Sequence, residues 1–495
     1  MKDLNNSILY SSIEENIKLI KNIFNNDDTL QLRRFENTYN GMKCCIFFIV
    51  GMVDTSSINE NILRPILSTK ILLDDIDHIS YLASQVLLSD TVTVSSNLDD
   101  VVNGILIGDT VLFVENHPRA IVINTKGWEK RNIEEPPTEK ILRGPREGFT
   151  ESLTTNLTLI RRKIQSKDLK FKFLTVGSRT NTKVCICYIE GLAKDEIINT
   201  VTEKIRNISI DGIYDIKYIQ EFIDENPFSI FETTSNTEKP DIAAGKLLEG
   251  RIVILVNGSP IVATLPSLFI EHMMAGDDYY LNYFFASIGR MIRIWGFILT
   301  ISVPALYLSL ISFHQEIVPT PLLLSIYTAR KGVPFPTFFE LCILLAVFEV
   351  LREAGARVPD PIGQSISIVG ALVLGSAAVE ARFVSAPMII IVGITAITSL
   401  LISPITSVVI ILRAYLLLLS ALLGIYGYIL GMISIVIHLF SLRSYGIPYM
   451  DNLTSIKMQS LKDTFIRAPL WYMRYRPKFM SKDSKRENLG GKGDE

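Results

Sequence analysis

The sequence predicts an α/β duplicated cytoplasmic region followed by an all-α polytopic membrane domain. Three observations carry this expectation. Charge is partitioned: only twelve of the 147 residues at 294–440 are Asp, Glu, Lys or Arg, against 88 of the other 348, so the 20% average describes neither part. Two short strings recur about 140 residues apart in the charged part. The charge-poor part divides into five apolar segments, several near the length of about 20 residues that a bilayer crossing needs.

The formal net charge of −2 excludes a nucleic-acid binder that relies on a strongly basic face. Residues 1–24 alternate polar with isolated apolar residues and have no continuous apolar core, so they do not read as a signal peptide. The soluble part is therefore expected to face the cytoplasm. Five cysteines, Cys44, Cys45, Cys185, Cys187 and Cys342, are an odd number for a disulfide framework, and a reduced compartment is the simpler reading.

In chain order, residues 1–30 form a polar extension. Residues 31–150 and 151–290 are expected to be two related α/β subdomains. Residues 45–51 (CIFFIVG) match 185–191 (CICYIEG) at an offset of 140, and 108–118 (GDTVLFVENHP) match 250–260 (GRIVILVNGSP) at 142. Each repeat reads as an apolar strand, a Gly, a helical stretch (57–67; 195–206) and two strands closed by a turn, the β-branched runs being bounded by Gly, Asn and Pro. Residues 130–148, with Pro136, Pro137 and Pro145 among mixed charges, read as a linker.

The paired cysteines raise a metal hypothesis, but zinc sites place two residues between paired thiols and draw them from loops. Cys45 and Cys185 instead share one repeat position inside an apolar strand, so buried core thiols are expected. There is no Gly-rich phosphate loop, the five histidines are scattered, and no catalytic constellation is present. The sequence calls for no enzyme activity and no cofactor.

Residues 291–443 are expected to form a membrane domain of four to six helices. Its apolar segments are 294–313, 337–351, 362–379, 383–403 and 414–440. Arg290 and Arg293 precede the first, and residues 444–495 form a basic tail; with Arg443 they hold eleven Lys or Arg against six acids. The positive-inside rule then puts both termini in the cytoplasm, which requires an even number of crossings. Either one short segment is re-entrant, or the stretch 321–329 completes a sixth crossing. Pro404 and Arg413 are read as breaking the last long apolar run.

Polar groups at membrane depth are costly unless paired or wetted, so they are the candidate pore or gating residues. Glu340 and Glu349 lie nine positions apart, on opposite helix faces. Glu349 can pair with Arg352 at i+3. Glu340 has no cation within a turn and either lines water or snorkels. Gly363, Ser367, Ala371 and Gly375 recur at steps of four, a small-residue ridge for close helix packing or a subunit interface. Gln364, Ser367 and Ser376 make that segment less oily, and Arg413 completes the candidate set.

The residues then carry a resemblance. Residues 313–325 (FHQEIVPTPLLLS), 332–336 (GVPFP), 351–375 (LREAGARVPDPIGQSISIVGALVLG), 442–449 (LRSYGIPY) and 463–471 (DTFIRAPLW) are similar to the GerA family of spore germination receptor A subunits. Residues 176–193 and 241–266 resemble the family's cytoplasmic region. Lys331, where an acid often precedes GVPFP, and Ser376 depart from the family pattern. The resemblance implies a nutrient-sensing subunit in the spore inner membrane, surrounded by membrane lipid. It also implies a homo-oligomeric, pentameric ring that conducts ions, with a transporter-like B subunit and a C-subunit lipoprotein as partners. The readings set against it are an accessory channel of the sporulation stage V AF type, a solute transporter, and a membrane-anchored sensor whose soluble repeats bind a metabolite.

Overall fold

The computed structural model describes residues 9–25, 27–70, 78–127, 139, 143–357, 375–451, 463–473, 475–477, 479–482 and 485–486. Strand β2 (Lys43–Ile49, KCCIFFI) is apolar on both faces, so it needs cover on both and lies inside a sheet. It pairs antiparallel with β1 (Leu30–Glu36) on one side. On its other side follow β4 (Thr110–Val114) and β5 (Ala120–Ile123), and β3 (Val92–Ser95) closes the order β1-β2-β4-β5-β3. Helices α1 (Ile13–Ile23) and α2 (Leu98–Ile107) cover one face, burying Ile13, Ile17 and Ile20 with Cys45 and Phe47. Residues 55–68 and 78–86, helical with π-type stretches, cover the other with Cys44 and Ile46.

The second sheet repeats this plan. Its strands β6 (Leu169–Val176), β7 (Thr182–Ile189), β8 (Ser235–Thr237), β9 (Ile252–Val256) and β10 (Val262–Leu265) take the order β6-β7-β9-β10-β8. Cys45 faces Phe113 across the first ladder and Cys185 faces Leu255 across the second. The two sequence offsets, 140 and 142, thus meet on equivalent rungs. Helices α3 (Leu153–Lys163) and α6 (Pro240–Leu248) cover one face of the second sheet. Helices α4 (Asp195–Arg206) and α5 (Ile216–Ile223) cover the other. The edge strands β1 and β6 are half polar by alternation, which is why strand reading centred on apolar runs passes over them. The linker expected at 130–148 falls largely outside the described residues.

All four strand cysteines are buried, and burial pushes the Cys44 and Cys45 thiols up to about 12. They are core side chains, held protonated and unreactive.

The units meet through polar contacts. Phe171 O accepts from Asp28 N at 3.0 Å, the Asp28 carboxylate accepts from Phe173 N at 2.8 Å, and Gly51 O accepts from Thr158 Oγ1 at 3.0 Å. At the centre Arg161 is ion-paired with Asp27, both fully buried.

The described residues of 283–441 are mainly helical: α7 (Tyr283–Ser312), α8 (Thr320–Arg330), α9 (Thr337–Arg357), a helical stretch at 375–380, α10 (Ala386–Ser399), α11 (Thr406–Leu423) and α12 (Ile425–Ser441). Two of these, Tyr283–Ser312 and Thr406–Leu423, are long and apolar enough to cross a membrane, and Ala386–Ile402 and Ile425–Ser441 are shorter apolar helices. The core of the α4/α5 side runs without interruption through Leu268, Phe269 and Ile270 into these helices.

The expected last segment, 414–440, is corrected: it is two helices, not one. Gly424, at φ +62° and ψ −138°, adopts a backbone that side chains disfavour and turns the chain back. The helices then pack antiparallel, Tyr415 Oη lying 2.8 Å from Ser434 Oγ, while a Cβ on Gly427 would collide with Leu419 O. Arg413 does not break the run either; it lies inside α11. The break is at residues 400–405, where Ile402 leaves helical geometry beside Pro404. The stretch expected to supply a sixth crossing is within α8, eleven residues long, about half of what a crossing requires.

Candidate functional site

Three charge clusters lie in or at the base of the helical region. In the first, Glu340 sits in the first turn of α9 with its side chain fully buried. Ser385, which precedes α10, donates to Glu340 Oε1 from both its amide and its hydroxyl, each at 2.6 Å. A carboxylate at a helix N-terminus satisfies unpaired amides and opposes the positive end of the helix dipole. Arg330, at the end of α8, brings its Nε to 3.7 Å from Oε2. Glu340 therefore neither lines water nor snorkels in this conformation. Its cation comes from another helix, ten residues upstream, beyond the reach of a within-helix search.

The second cluster joins α9 to α11. Glu349 pairs with Arg352 at 2.7 Å, the i+3 contact anticipated from spacing, and also with Arg413. Glu349 and Arg352 are about one quarter exposed, whereas the Arg413 side chain is 4% exposed. One acid therefore serves two cations in a mostly apolar setting, which leaves the three groups with a net charge of +1.

Of the remaining candidates, Gly363, Gln364, Ser367 and Ala371 lie outside the described residues. Gly375 and Ser376 belong to the helical stretch at 375–380. Gly375 packs on the same chain, where a Cβ would meet Ile389 at 3.7 Å, an ordinary contact.

The third cluster was not anticipated. Arg290 and Arg293, read as cytoplasmic flanking charges, are bound to acids. Arg290 Nε donates to Asp278 at 2.9 Å and its Nη1 to Asp463 at 2.8 Å; Arg293 chelates Asp278 at 2.6 and 2.7 Å. Tyr279 Oη donates to Asp463 at 2.8 Å, and Arg467 N donates to Ser287 Oγ at 3.0 Å. The cluster straps residues 463–467 to the base of α7. Asp278 and the DTFIR string were the only signals of it in the sequence.

After α12 a short hairpin, β11 (Arg443–Ser444) and β12 (Ile447–Pro448), docks on the second α/β unit. Ser444 Oγ donates to Thr233 O at 2.7 Å, Glu225 accepts from Tyr445 N at 2.7 Å, and Tyr449 Oη donates to Glu232 O at 3.0 Å. Beside it, Glu271 is paired with both Lys246 and Arg251. Burial would raise its carboxyl, but the two cations override this and hold it at about 2. His272, 3.0 Å from Tyr449 Oη, is pushed down by burial. Among the described residues no cluster of His, Cys, Asp and Glu is arranged to hold a metal.

A duplicated α/β region fused to an apolar helical region with polar clusters inside the helices defines a two-part class of protein, an α/β module joined to helices of which two are long and apolar enough to cross a membrane. Residues 18–479 match the family described as Bacillus/Clostridium GerA spore germination protein. The chain belongs to the GerA family. It is 39% identical over 468 residues to the uncharacterized membrane protein YfkQ of Bacillus subtilis (strain 168), covering 94% of this chain and 91% of that protein. It is 38% identical over 443 residues to spore germination protein KA of the same organism, covering 89% and 81%. It is 33% identical over 480 residues to spore germination protein GerLA of Bacillus cereus, covering 96% and 97%. Among solved structures it is similar to the N-terminal domain of the A subunit of the Bacillus megaterium spore germinant receptor GerK3, with 29% identity and a TM-score of 0.43, over 53% of this chain and 98% of that one.

Proposed function

We propose that this chain is the A subunit of a nutrient germinant receptor in the spore inner membrane, oligomerising into an ion channel whose opening starts germination. The observation that carries the reading is the family match over residues 18–479, with spore germination relatives aligned over most of both chains. A transporter-like B subunit that binds the nutrient and a C-subunit lipoprotein are its proposed partners. Nutrient binding shifts the open population only by the difference in affinity between closed and open states.

The helix directions support a polytopic arrangement with six crossings and both termini cytoplasmic. The α7 end, the turn at Gly424 and the start of α12 share one end of the bundle, where a Cβ on Gly424 would touch Phe313. Glu340 and Ser385 bring the starts of α9 and α10 to one end, and the crossing proposed between these two helices is the segment read from the sequence at 362–379, most of which lies outside the described residues. Entry at α7 and exit through the docked hairpin lie at the α/β end. Splitting 414–440 at Gly424 supplies the sixth crossing.

The Glu349–Arg352–Arg413 cluster is the proposed gating element, because its ion pairs join two helices that a conformational change would have to separate. Reconstituted into liposomes, the receptor should pass monovalent cations, and Glu349→Gln should change that flux several-fold. Flux equal to empty liposomes, with or without nutrient and partner subunits, would remove the channel reading.

A further inference from the structure

On the membrane reading above, the turn that follows α5 in the second α/β unit lies at bilayer depth. Helix α12 is seventeen residues, about 25 Å, less than the roughly 30 Å of bilayer hydrocarbon, so the boundary at its end falls at or beyond Ser441. Counted along α7 from Phe313, which packs on Gly424 at the opposite end, the same 30 Å ends at Arg293, the last charged residue of that helix. Two contacts fix the turn at this level. Ser229 Oγ lies 3.1 Å from His438 Nε2, and Asn226 Nδ2 donates to Arg443 O at 2.9 Å. His438 is fourteen residues past Gly424, about 21 Å of helix, so the turn starts inside the boundary.

What the turn presents there is apolar. Asn226 O accepts from Ser229 N at 2.9 Å, closing a β-turn with Pro227 at its second position and Phe228 at its tip, 101% exposed. The tip is braced: Asp224 accepts from Asn226 N at 3.1 Å and from Thr233 Oγ1 at 2.6 Å, and Ser229 Oγ accepts from Phe231 N at 3.1 Å. These bonds also engage the first acid of the loop, and the second, Glu225, accepts from Tyr445 N. A single exposed Phe is ordinary on a soluble surface. On a braced turn at this depth its neighbour is lipid. Ile437 and Phe440, beside His438 on α12, are 63 and 49% exposed and continue the apolar surface. Arg443, exposed just past α12, places a cation where headgroups lie.

We propose that the turn 226–229 is a lipid-inserted wedge, Phe228 entering the acyl chains of the cytoplasmic leaflet while Arg443 meets the headgroup phosphates. The proposal rests on the membrane reading and extends it: the second α/β unit holds the bilayer by a side chain that belongs to no spanning helix. A ring without a polar tip leaves no donor or acceptor unpaired when it enters hydrocarbon, so the insertion carries no desolvation cost of that kind. Lipid is the occupant because the tip continues the exposed surface of a spanning helix at a depth where lipid fills whatever protein does not cover.

The test is depth-dependent fluorescence quenching of the full chain in phosphatidylcholine–phosphatidylglycerol vesicles. Phe228→Cys, Ile433→Cys and Tyr39→Cys are each labelled with an environment-sensitive dye on a Cys342→Ala background, the other four thiols being buried. Phe228 packs on nothing, so its replacement leaves the fold intact. Its label should be quenched at least two-fold more by a nitroxide on a shallow acyl carbon than by one on a deep carbon or by aqueous iodide. The Ile433 label, midway along α12, should answer to the deep nitroxide, and the Tyr39 label, on the first unit, to iodide alone. A Phe228 label quenched by iodide as strongly as Tyr39 overturns the proposal, and so does one shielded from every quencher, which would mean a protein cover. With Ile433 quenched by lipid, either result removes the wedge alone; an Ile433 label that no lipid quencher reaches removes the membrane reading and the wedge with it.

Discussion

Replacing Asp27 by Ala should uncouple the two α/β units, because it removes the counterion of a charge that has no route to water. The Asp27 and Arg161 side chains are 0 and 1% exposed. Thr29 fixes the carboxylate through its hydroxyl at 2.6 Å and its amide at 3.1 Å. Arg161 Nη1 donates to Leu169 O and Ser166 O, both at 3.3 Å, and the guanidinium stacks 4.7 Å over the Phe171 ring. After the substitution the guanidinium keeps two carbonyls but has no anion. Breaking a buried pair on one side costs about 3–5 kcal/mol, and two lost hydrogen bonds from Thr29 fall within that figure. At about 2–4 °C per kcal/mol for a unit of this size, the melting temperature should fall by roughly 6–20 °C, read by circular dichroism on the purified chain in detergent. The double variant Asp27→Leu, Arg161→Met should recover most of the loss, since an apolar pair of similar volume is often neutral. A loss under about 1 kcal/mol for Asp27→Ala, or a double variant as damaged as the single changes added together, would refute the argument.

Two further outcomes are expected. Glu271 is held at about 2 when folded, below the ordinary value of 4.5, so its contribution is fully present above about pH 4.5 and is lost as pH falls toward 2. A pH series of melting temperatures should therefore drop over that window, and Glu271→Gln should flatten the drop while lowering the plateau. Gly427→Ala should destabilise the α11/α12 hairpin by about 1–3 kcal/mol, since its Cβ would collide with a backbone oxygen. Gly245→Ala, in α6 with nothing within 4 Å, should instead stabilise by about 0.5–1 kcal/mol, and equal effects at the two sites would contradict this packing.

The duplication was legible because two buried strands per repeat have to be apolar on both faces, leaving long matching strings such as CIFFIVG and CICYIEG. End strands β1 and β6 interleave charged residues (Arg33 and Arg34; Lys170 and Lys172) with apolar ones, so they left no apolar string and carried no repeat signal. Within the helices, Glu349 with Arg352 was readable because i+3 contacts follow from helix geometry alone. Arg413 and Arg330 were not: each reaches its acid from another helix, and a sequence does not state which helices touch. The hairpin at Gly424 was missed because both its helices are equally oily, so hydropathy runs through the turn without a dip. The partners of Arg290 and Arg293 were hidden for the same reason, since Asp278 and Asp463 are twelve and more residues away.

These placements bear on how a signal would travel. The second α/β unit shares one apolar core with the helices through Leu268, Phe269 and Ile270, and it also holds the hairpin that ends α12. Well-packed cores move as a body, so this unit and the helix ends should shift together. The first unit touches the second through Asp27–Arg161, Asp28 with β6, and Thr158 with Gly51, all polar contacts of limited extent. The buried Asp27–Arg161 pair locks the first unit to the second. Motion of the first unit is thus passed to the second, the lever that would carry it to α7 and α12. In the Asp27→Ala variant that lever would remain intact while its input loosens. Germination triggered through the first unit should then weaken even where the helical region still folds, and unaltered germination with a measurably lowered melting temperature would show that the first unit is not part of the signal route.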